Sequence, residues 1–366
     1  MTIHPEDEHN RTLISNVHPP DWKNPDPVPL YNLVVVGAGT AGLVTAAGAA
    51  VLGARVALVE RQFFGGHCLN TGCVPSKSVI RVSRVKAELD LARSFGISIP
   101  EDARLDFAVV MERMRRIRAH ISDHDSVRRF RELGVDVFLG DGQFAGPDTL
   151  VVAEKRLRFK KAVIATGARA AVPPIEGLAE AGYLTNETVF NLTERPNRLL
   201  VMGGGPLGCE LAQAFSRLGS QVTVAEMAPQ LLTWEDPDAA QIIARVFQRE
   251  GLNVCLNSTV KRIVNSGQEK RVHLESNGKE SVVEADAILV GVGRAPNVEG
   301  LGLEAAGVKY DSKAGVHVND RLQTTNPRIY AAGDVCLAYK FTHTADATAR
   351  IVIQNTLFWG EGNGPP

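Results

Sequence analysis

YNLVVVGAGTAGLVTAAGAAVLGARVALVE, residues 31–60, decides the fold. An apolar run, Asn32–Val36, leads directly into Gly37, Gly39 and Gly42 at the spacing GxGxxG; a small-residue stretch then runs to Gly53, and a second apolar run, Arg55–Glu60, follows. Short apolar runs bounded by glycine read as strands, and the stretch between them is long enough for a helix. The first glycine allows a tight turn out of the strand, the second lets backbone approach a pyrophosphate, and the third lets helix pack closely on strand. The helix N-terminus then offers unpaired N–H groups and partial positive charge to the phosphates. Glu60 ends the unit, where a carboxylate accepts hydrogen bonds from ribose hydroxyls. From Leu33 to Val59 the only charge is Arg55, so hydropathy alone would suggest a membrane span. The glycines, placed as strand, turn, helix and strand require, make a buried βαβ unit the better reading.

The pattern returns at residues 198–226, RLLVMGGGPLGCELAQAFSRLGSQVTVAE, with Gly203, Gly205 and Gly208 at the same spacing. Each acid lies 23 positions after its first glycine, Gly37 to Glu60 and Gly203 to Glu226. Strand, glycines, helix, strand and acid all recur, which marks an internal repeat of dinucleotide-binding units. The fold class is therefore α/β, with two Rossmann-like domains. Glu226 would repel a 2′-phosphate and no arginine follows closely, so NADH is favoured over NADPH.

The 366 residues leave room for two or three domains. A net charge of -1 gives no global pull toward nucleic acid or an anionic membrane. The basic run Arg113, Arg115, Arg116 and Arg118 lacks interleaved aromatics and reads as a solvated helix face. Five cysteines without a CxxC spacing suggest neither a disulfide framework nor a zinc ribbon, and no metal site is expected. The polar, acidic start MTIHPEDEHN lacks the features of a signal peptide, so a cytoplasmic location is expected. Residues 1–30, with five prolines in PPDWKNPDPVP, read as an extended arm. Helices are expected over 75–94, with Pro75 at its first position, and over 107–133. Short strands VDVFLG, TLVVA, LRF and KAVIATG follow. Further strands are expected at 282–293 and 328–334, and a last helix from about Ala345 to Trp359 before the GEGNGPP stop.

Residues 65–77, GGHCLNTGCVPSK, hold two cysteines five apart in a loop entering a helix. At the helix N-terminus the dipole stabilises a Cys73 thiolate, and Lys77, one turn on, adds positive charge. Such a thiolate can donate electron density to an oxidised flavin. Cys68, further out, can attack a substrate disulfide or bind a soft metal ion. Taken alone, the pair could equally be two buried, inert thiols.

This segment resembles the active-site segment of the class I pyridine nucleotide–disulfide oxidoreductases. IATGARA at 164–170, GGGPLGCE at 203–210, GVGRAPN at 291–297 and IYAAGD at 329–334 resemble four further motifs of that family. The resemblance covers about 31–358. It implies an FAD domain over 31–185 and 311–360, with an NAD(P) domain over 186–310 inserted in it. It implies FAD contacts from Gly37, Gly39, Thr40, Ala41, Gly42, Glu60, Arg61, Gly66, Lys77, Gly142, Thr166, Gly167, Arg294 and Asp334. Phe341, Thr342 and His343 would start a helix against the pyrimidine end of the flavin. NAD contacts are implied for Gly203, Gly205, Pro206, Leu207, Gly208, Glu226 and Gly293, and Cys68, Cys73, Lys77 and Glu210 would be catalytic, with Glu210 beside the nicotinamide.

The implied reaction passes electrons between NAD(P)H and a dithiol, disulfide or Hg(II) acceptor, through FAD and a Cys68–Cys73 disulfide. The wording leans toward the dihydrolipoamide dehydrogenase and mercuric reductase branches. Two departures stand out. His67 replaces the acid or small residue more usual before the first cysteine. The family's C-terminal interface domain does not follow in this sequence; it makes the homodimer and supplies a His–Glu pair or, in mercuric reductase, a cysteine pair. A truncated product, a separate polypeptide and a reduced enzyme all stay open, as does an FAD-binding protein with only diaphorase activity or none.

Overall fold

In the computed structural model of the chain, residues 2–100, 104–266 and 269–358 are described. Helix α1 (Glu8–Val17) precedes the first nucleotide stretch, which folds as β1 (Tyr31–Val36), α2 (Thr40–Val51) and β2 (Val56–Glu60). Helices α3 (Gly66–Asn70), α4 (Cys73–Ala92), α5 (Phe107–Ser122) and α6 (Val127–Glu132) follow. Strands β3 (Asp136–Leu139), β4 (Gly142–Gly146), β5 (Thr149–Val152) and β6 (Lys155–Ile164) come next. The chain divides into two compact units. The first joins Glu8–Asn70, Arg118–Arg169 and Arg294–Pro366; the second joins Met1–Asp7, Thr71–Ile117 and Ala170–Gly293. The division places residues 71–117 and 170–185 of the 31–185 block in the second unit, and residues 294–310 of the 186–310 block in the first.

The first unit is built on a seven-stranded sheet in the order β3-β2-β1-β6-β5-β4, with the strand Ile329–Ala331 also pairing with β6. Strands β1, β2, β3, β6 and Ile329–Ala331 are parallel, whereas β4 and β5 join antiparallel. Leu33, Val34 and Val35 of β1 are fully buried, as expected of a central parallel strand covered on both faces. The expected strands LRF and KAVIATG are one ten-residue strand, β6. Its first half pairs with β5 and its second half with β1 and Ile329–Ala331, so one continuous strand serves three neighbours.

The second unit holds a four-stranded parallel sheet formed by Asn253–Cys255, Gln221–Ala225, Arg198–Met202 and Ala287–Val290. Beside it lies an antiparallel sheet of Ser258–Ser266, Glu269–Ser276 and Lys279–Ala285. Helix α4 and the helix Pro206–Arg217 contribute to a core that includes Val79, Met111, Met114, Phe215 and Leu289. The two glycine-rich stretches thus form two Rossmann-like units. Among the described residues, no helix is long and apolar enough to cross a membrane.

Several expectations need correction. The strand expected at 282–293 is two strands, Lys279–Ala285 in the antiparallel sheet and Ala287–Val290 in the parallel one, parted at Asp286. Residues 1–30 are not extended throughout: Asn10, Leu13 and Val17 share one buried face, which drives helix α1. The basic run is not a solvated face, because Arg115 and Arg118 are buried. They fall at i+4 and i+7 from Met111, on the same face as buried Met111 and Met114. Helix α4 begins at Cys73, and Pro75 sits in its first turn, where a missing N–H costs no intrahelical bond. The expected helix over 107–133 is broken after Ser122 and restarts under a Ser126 cap, whose Oγ accepts from Arg129 N at 3.2 Å. The last helix runs Thr342–Leu357; Trp359 and the GEGNGPP tail lie outside the described residues.

Candidate active site

The two glycine turns share one construction. Gly37 and Gly203 take left-handed φ values of 102° and 99°. A Cβ on Gly37 would fall 2.4 Å from the Ala165 carbonyl oxygen, and one on Gly203 would fall 2.5 Å from that of Gly291. A Cβ on Gly42 would fall 1.8 Å from the Gly37 oxygen, and one on Gly208 would fall 2.0 Å from the Gly203 oxygen. Each helix starts on an extended glycine, Gly39 or Gly205, with no side-chain cap. Thr40 and Ala41 open α2; Pro206 and Leu207 open the second helix. The leading N–H groups of both helices therefore stay available to an anion.

The two acids are also held alike. Glu60 accepts from Ala38 N and Gln62 N, both at 2.7 Å. Glu226 accepts from Gly204 N at 2.6 Å and Ala228 N at 2.8 Å. One backbone donor on each oxygen fixes the carboxylate plane and leaves lone pairs for ribose hydroxyls. Burial pushes the Glu60 carboxyl up, and its backbone donors, with neighbouring Arg61, pull against that.

Helix α3 sits against the first turn. Gly66 has φ of 53°, and a Cβ there would fall 2.6 Å from Gly39 Cα. Gly65 N also donates to the Ala38 carbonyl at 2.9 Å. Only glycine permits this approach, which brings the helix bearing Cys68 onto the nucleotide turn. His67, beside Cys68, is held down at about 4 by burial and by the Arg294 charge. It is therefore neutral near pH 7 and adds no cation beside the thiol.

Cys73 opens α4 in the second unit, again without a side-chain cap. One turn on, Lys77 Nζ donates to both oxygens of Glu210, at 2.8 and 2.7 Å. Glu210 lies on the helix Pro206–Arg217, so this ion pair ties the cysteine helix to the helix of the second glycine turn. Gly293 ends the unit at a left-handed φ of 136°.

The remaining expected residues lie in the first unit. Arg294 Nη1 pairs with Asp334 at 3.0 Å, and its Nη2 donates to the Ala168 carbonyl at 2.8 Å. Thr166 Oγ1 donates to the Asn297 carbonyl at 2.7 Å, Asn297 Nδ2 returns to the Thr166 carbonyl at 2.9 Å, and Asn297 N bonds the Gly167 carbonyl at 2.9 Å. The ATG and GxGRxPN motifs are thus clasped together. Phe341 and His343 stack at 5.4 Å where the helix Thr342–Leu357 begins. Gly142 heads β4 inside the sheet core, where a Cβ would lie 3.1 Å from Val59.

Of the other thiols, Cys209 is buried and Cys255 and Cys336 are partly buried. Burial pushes Cys209 up to about 12, helped by Glu226 and Glu210. Burial pushes Cys336 up to about 12, with Lys340 opposing and Asp334 assisting. The sequence does not single out Asn10, Asn70 or Asn297, and it makes Arg118 look solvated. Asn297 stood inside a quoted motif, and the helical spacing of Arg118 from Met111 and Met114 carried the signal of its burial.

Residues 31–349 match the family described as pyridine nucleotide-disulphide oxidoreductase. The chain belongs to this family. Among the relatives of the chain, a mercuric reductase of Staphylococcus aureus is 37% identical over 89% of the chain and 60% of the relative. A dihydrolipoyl dehydrogenase of Acholeplasma laidlawii is 33% identical over 89% of the chain and 96% of the relative. The HOCl-induced flavoprotein disulfide reductase RclA of Escherichia coli has a solved structure with 30% identity and a TM-score of 0.79, covering 91% of this chain and 72% of that one. The chain spans 60% and 52% of the length of the Staphylococcus aureus and Bacillus cereus mercuric reductases. FAD is the cofactor expected of the family. The uncapped start of α2, the absence of any atom nearer than 3.8 Å to a Cβ on Gly39, and the oriented Glu60 carboxylate fit its pyrophosphate and adenosine ribose.

Proposed function

We propose that the chain moves electrons from NADH through FAD to a Cys68–Cys73 disulfide, and from there to a disulfide or soft-metal acceptor, or in reverse from a dithiol to NAD⁺. The bidentate Lys77–Glu210 pair carries this reading. It fixes the ammonium one turn along the helix opened by Cys73 against a carboxylate of the helix that starts at the second glycine turn. In overall balance, NADH, a proton and the disulfide give NAD⁺ and two thiols.

Gly37, Gly39, Gly42 and Glu60 hold the flavin nucleotide, with Thr40 and Ala41 at the helix start. Gly203, Gly205, Gly208 and Glu226 hold NADH, and the Glu226 carboxylate disfavours a 2′-phosphate. FAD, when bound, supplies the hydride acceptor that the polypeptide lacks. Glu210 orients the Lys77 ammonium, which favours negative charge nearby. The start of α4 stabilises a Cys73 thiolate. Cys68, as thiolate, attacks an incoming disulfide sulfur or ligates a soft metal ion. The mercuric reductase relatives and a Cu(II) complex of RclA support the soft-metal alternative. Thiols that must stay reducible suit a cytoplasmic setting.

The test is anaerobic addition of NADH to the FAD-loaded protein, followed by iodoacetamide labelling at pH 8. By peptide mapping, Cys68 and Cys73 should become labelled only after NADH, whereas buried Cys209 should stay unlabelled until unfolding and the partly buried Cys255 and Cys336 should label equally with or without NADH. NADH-independent labelling of Cys68 and Cys73 would overturn the reading in favour of an FAD-binding protein without disulfide turnover, and failure to retain FAD would overturn both readings. Turnover with dihydrolipoamide, oxidised glutathione and Hg(II) then selects the acceptor.

A further inference from the structure

A ring of hydrogen bonds in the first unit encloses the segment that carries Cys68. Phe64 N donates to the Val17 carbonyl at the end of α1, at 3.1 Å. Asn70 Nδ2 donates to the Phe64 carbonyl at 2.8 Å and to the Gly66 carbonyl at 2.9 Å. Arg118 Nη1 donates to the Asn70 carbonyl at 2.8 Å, and its Nη2 donates to Asn10 Oδ1 at 2.8 Å. Asn10 lies on α1, which closes the ring. Asn10, Asn70 and Arg118 are each 1% exposed.

Burying a guanidinium is expensive, and an apolar residue of similar volume is often at least as stabilising. A stability role alone therefore gives little reason for Arg118. Helix α3 has only five residues, too few to hold itself in water. It is fixed instead at both ends, by Gly66 against Gly39 and by Asn70 against Arg118. Cys68 lies between these anchors.

We propose that Arg118 and Asn10 are positioning residues for Cys68, which makes the N-terminal helix part of the redox scaffold. The inference rests on the Cys68–Cys73 reading above. Reduction breaks one S–S bond, takes up two electrons and two protons, and yields two thiols. Oxidation reverses this, and a fixed α3 favours re-closing the bond. Loosening α3 makes closure less favourable and the disulfide easier to reduce.

The test is equilibration of the FAD-loaded full chain against dithiothreitol redox buffers, with acid quench and mass counting of tags on Cys68 and Cys73. Arg118→Met should shift the exchange equilibrium toward the dithiol by about tenfold, a rise of about 30 mV in midpoint potential. Asn10→Ala should shift it by about threefold in the same direction, and Arg118→Lys should fall between wild type and Arg118→Met. Arg116→Met, on the exposed face of α5, should match wild type. Wild-type midpoints in both Arg118→Met and Asn10→Ala would overturn the inference. Should Arg118→Met fail to fold, Asn10→Ala decides alone, because buried Leu13 and Val17 still seat α1. If wild type forms no Cys68–Cys73 disulfide, the functional reading itself fails and the inference falls with it, a result visible before any variant is made.

Discussion

Lys77 and Glu210 show how an ion pair can matter to chemistry and little to stability. Their side chains are 58% and 40% exposed, and pairs this open contribute at most about 1 kcal/mol. Lys77→Met should therefore change the urea midpoint very little, while anaerobic stopped-flow reduction of the flavin by NADH slows by about tenfold or more. His67 makes the opposite case, through pH. Its folded value of about 4 lies below the ordinary 6.5, so between those values the unfolded chain binds more protons. Stability from this group is thus fully present above about 6.5 and is lost as pH falls toward 4. Denaturant melts across that window should show a shallower acid loss in His67→Gln than in wild type.

Both nucleotide units were legible because strand, glycine spacing, helix and acid each carry a separate signal, and all agree. The same consistency did not exist around α1, where prolines 19–29 dominated the reading and masked the Asn10, Leu13, Val17 stripe. The antiparallel strands Ser258–Ser266 and Glu269–Ser276 were missed, because half-exposed strands rich in charge read as loop. Arg118 was misread for a related reason: a charge on an apolar stripe looks solvated until its partners are known. In the site, glycines and acids were readable from spacing, whereas Asn70 and Asn297 act through backbone carbonyls that no residue pattern announces. The matched turns give a crossed prediction. Gly42→Ala and Gly208→Ala each force a Cβ into a carbonyl oxygen, at a cost of about 1–3 kcal/mol or more. Gly42→Ala should purify without flavin, whereas Gly208→Ala should keep its flavin and lose reduction by NADH, as absorbance at the flavin band will report. Leu13→Ala, at a fully buried position of α1, should cost about 2–5 kcal/mol in denaturant unfolding.

At the scale of the molecule, each unit has its own sheet and core, and the nucleotides add to that stability by mass action. Stripping FAD should lower the melting temperature, and FAD returned at 100 times its Kd should restore about 2.7 kcal/mol. A calorimetric titration of the stripped chain checks both statements. The long strand β6 has a further consequence, for how the chain is made. Its outer neighbour Ile329–Ala331 pairs with Ala162–Ile164, residues synthesised 167 positions earlier. The whole second nucleotide stretch leaves the ribosome in between. One flank of the central β6 must therefore wait, with its backbone groups unpaired, until Ile329–Ala331 is made. During that interval the nascent first unit is an open edge, vulnerable to pairing with other chains, and the inserted unit can complete its own sheet first.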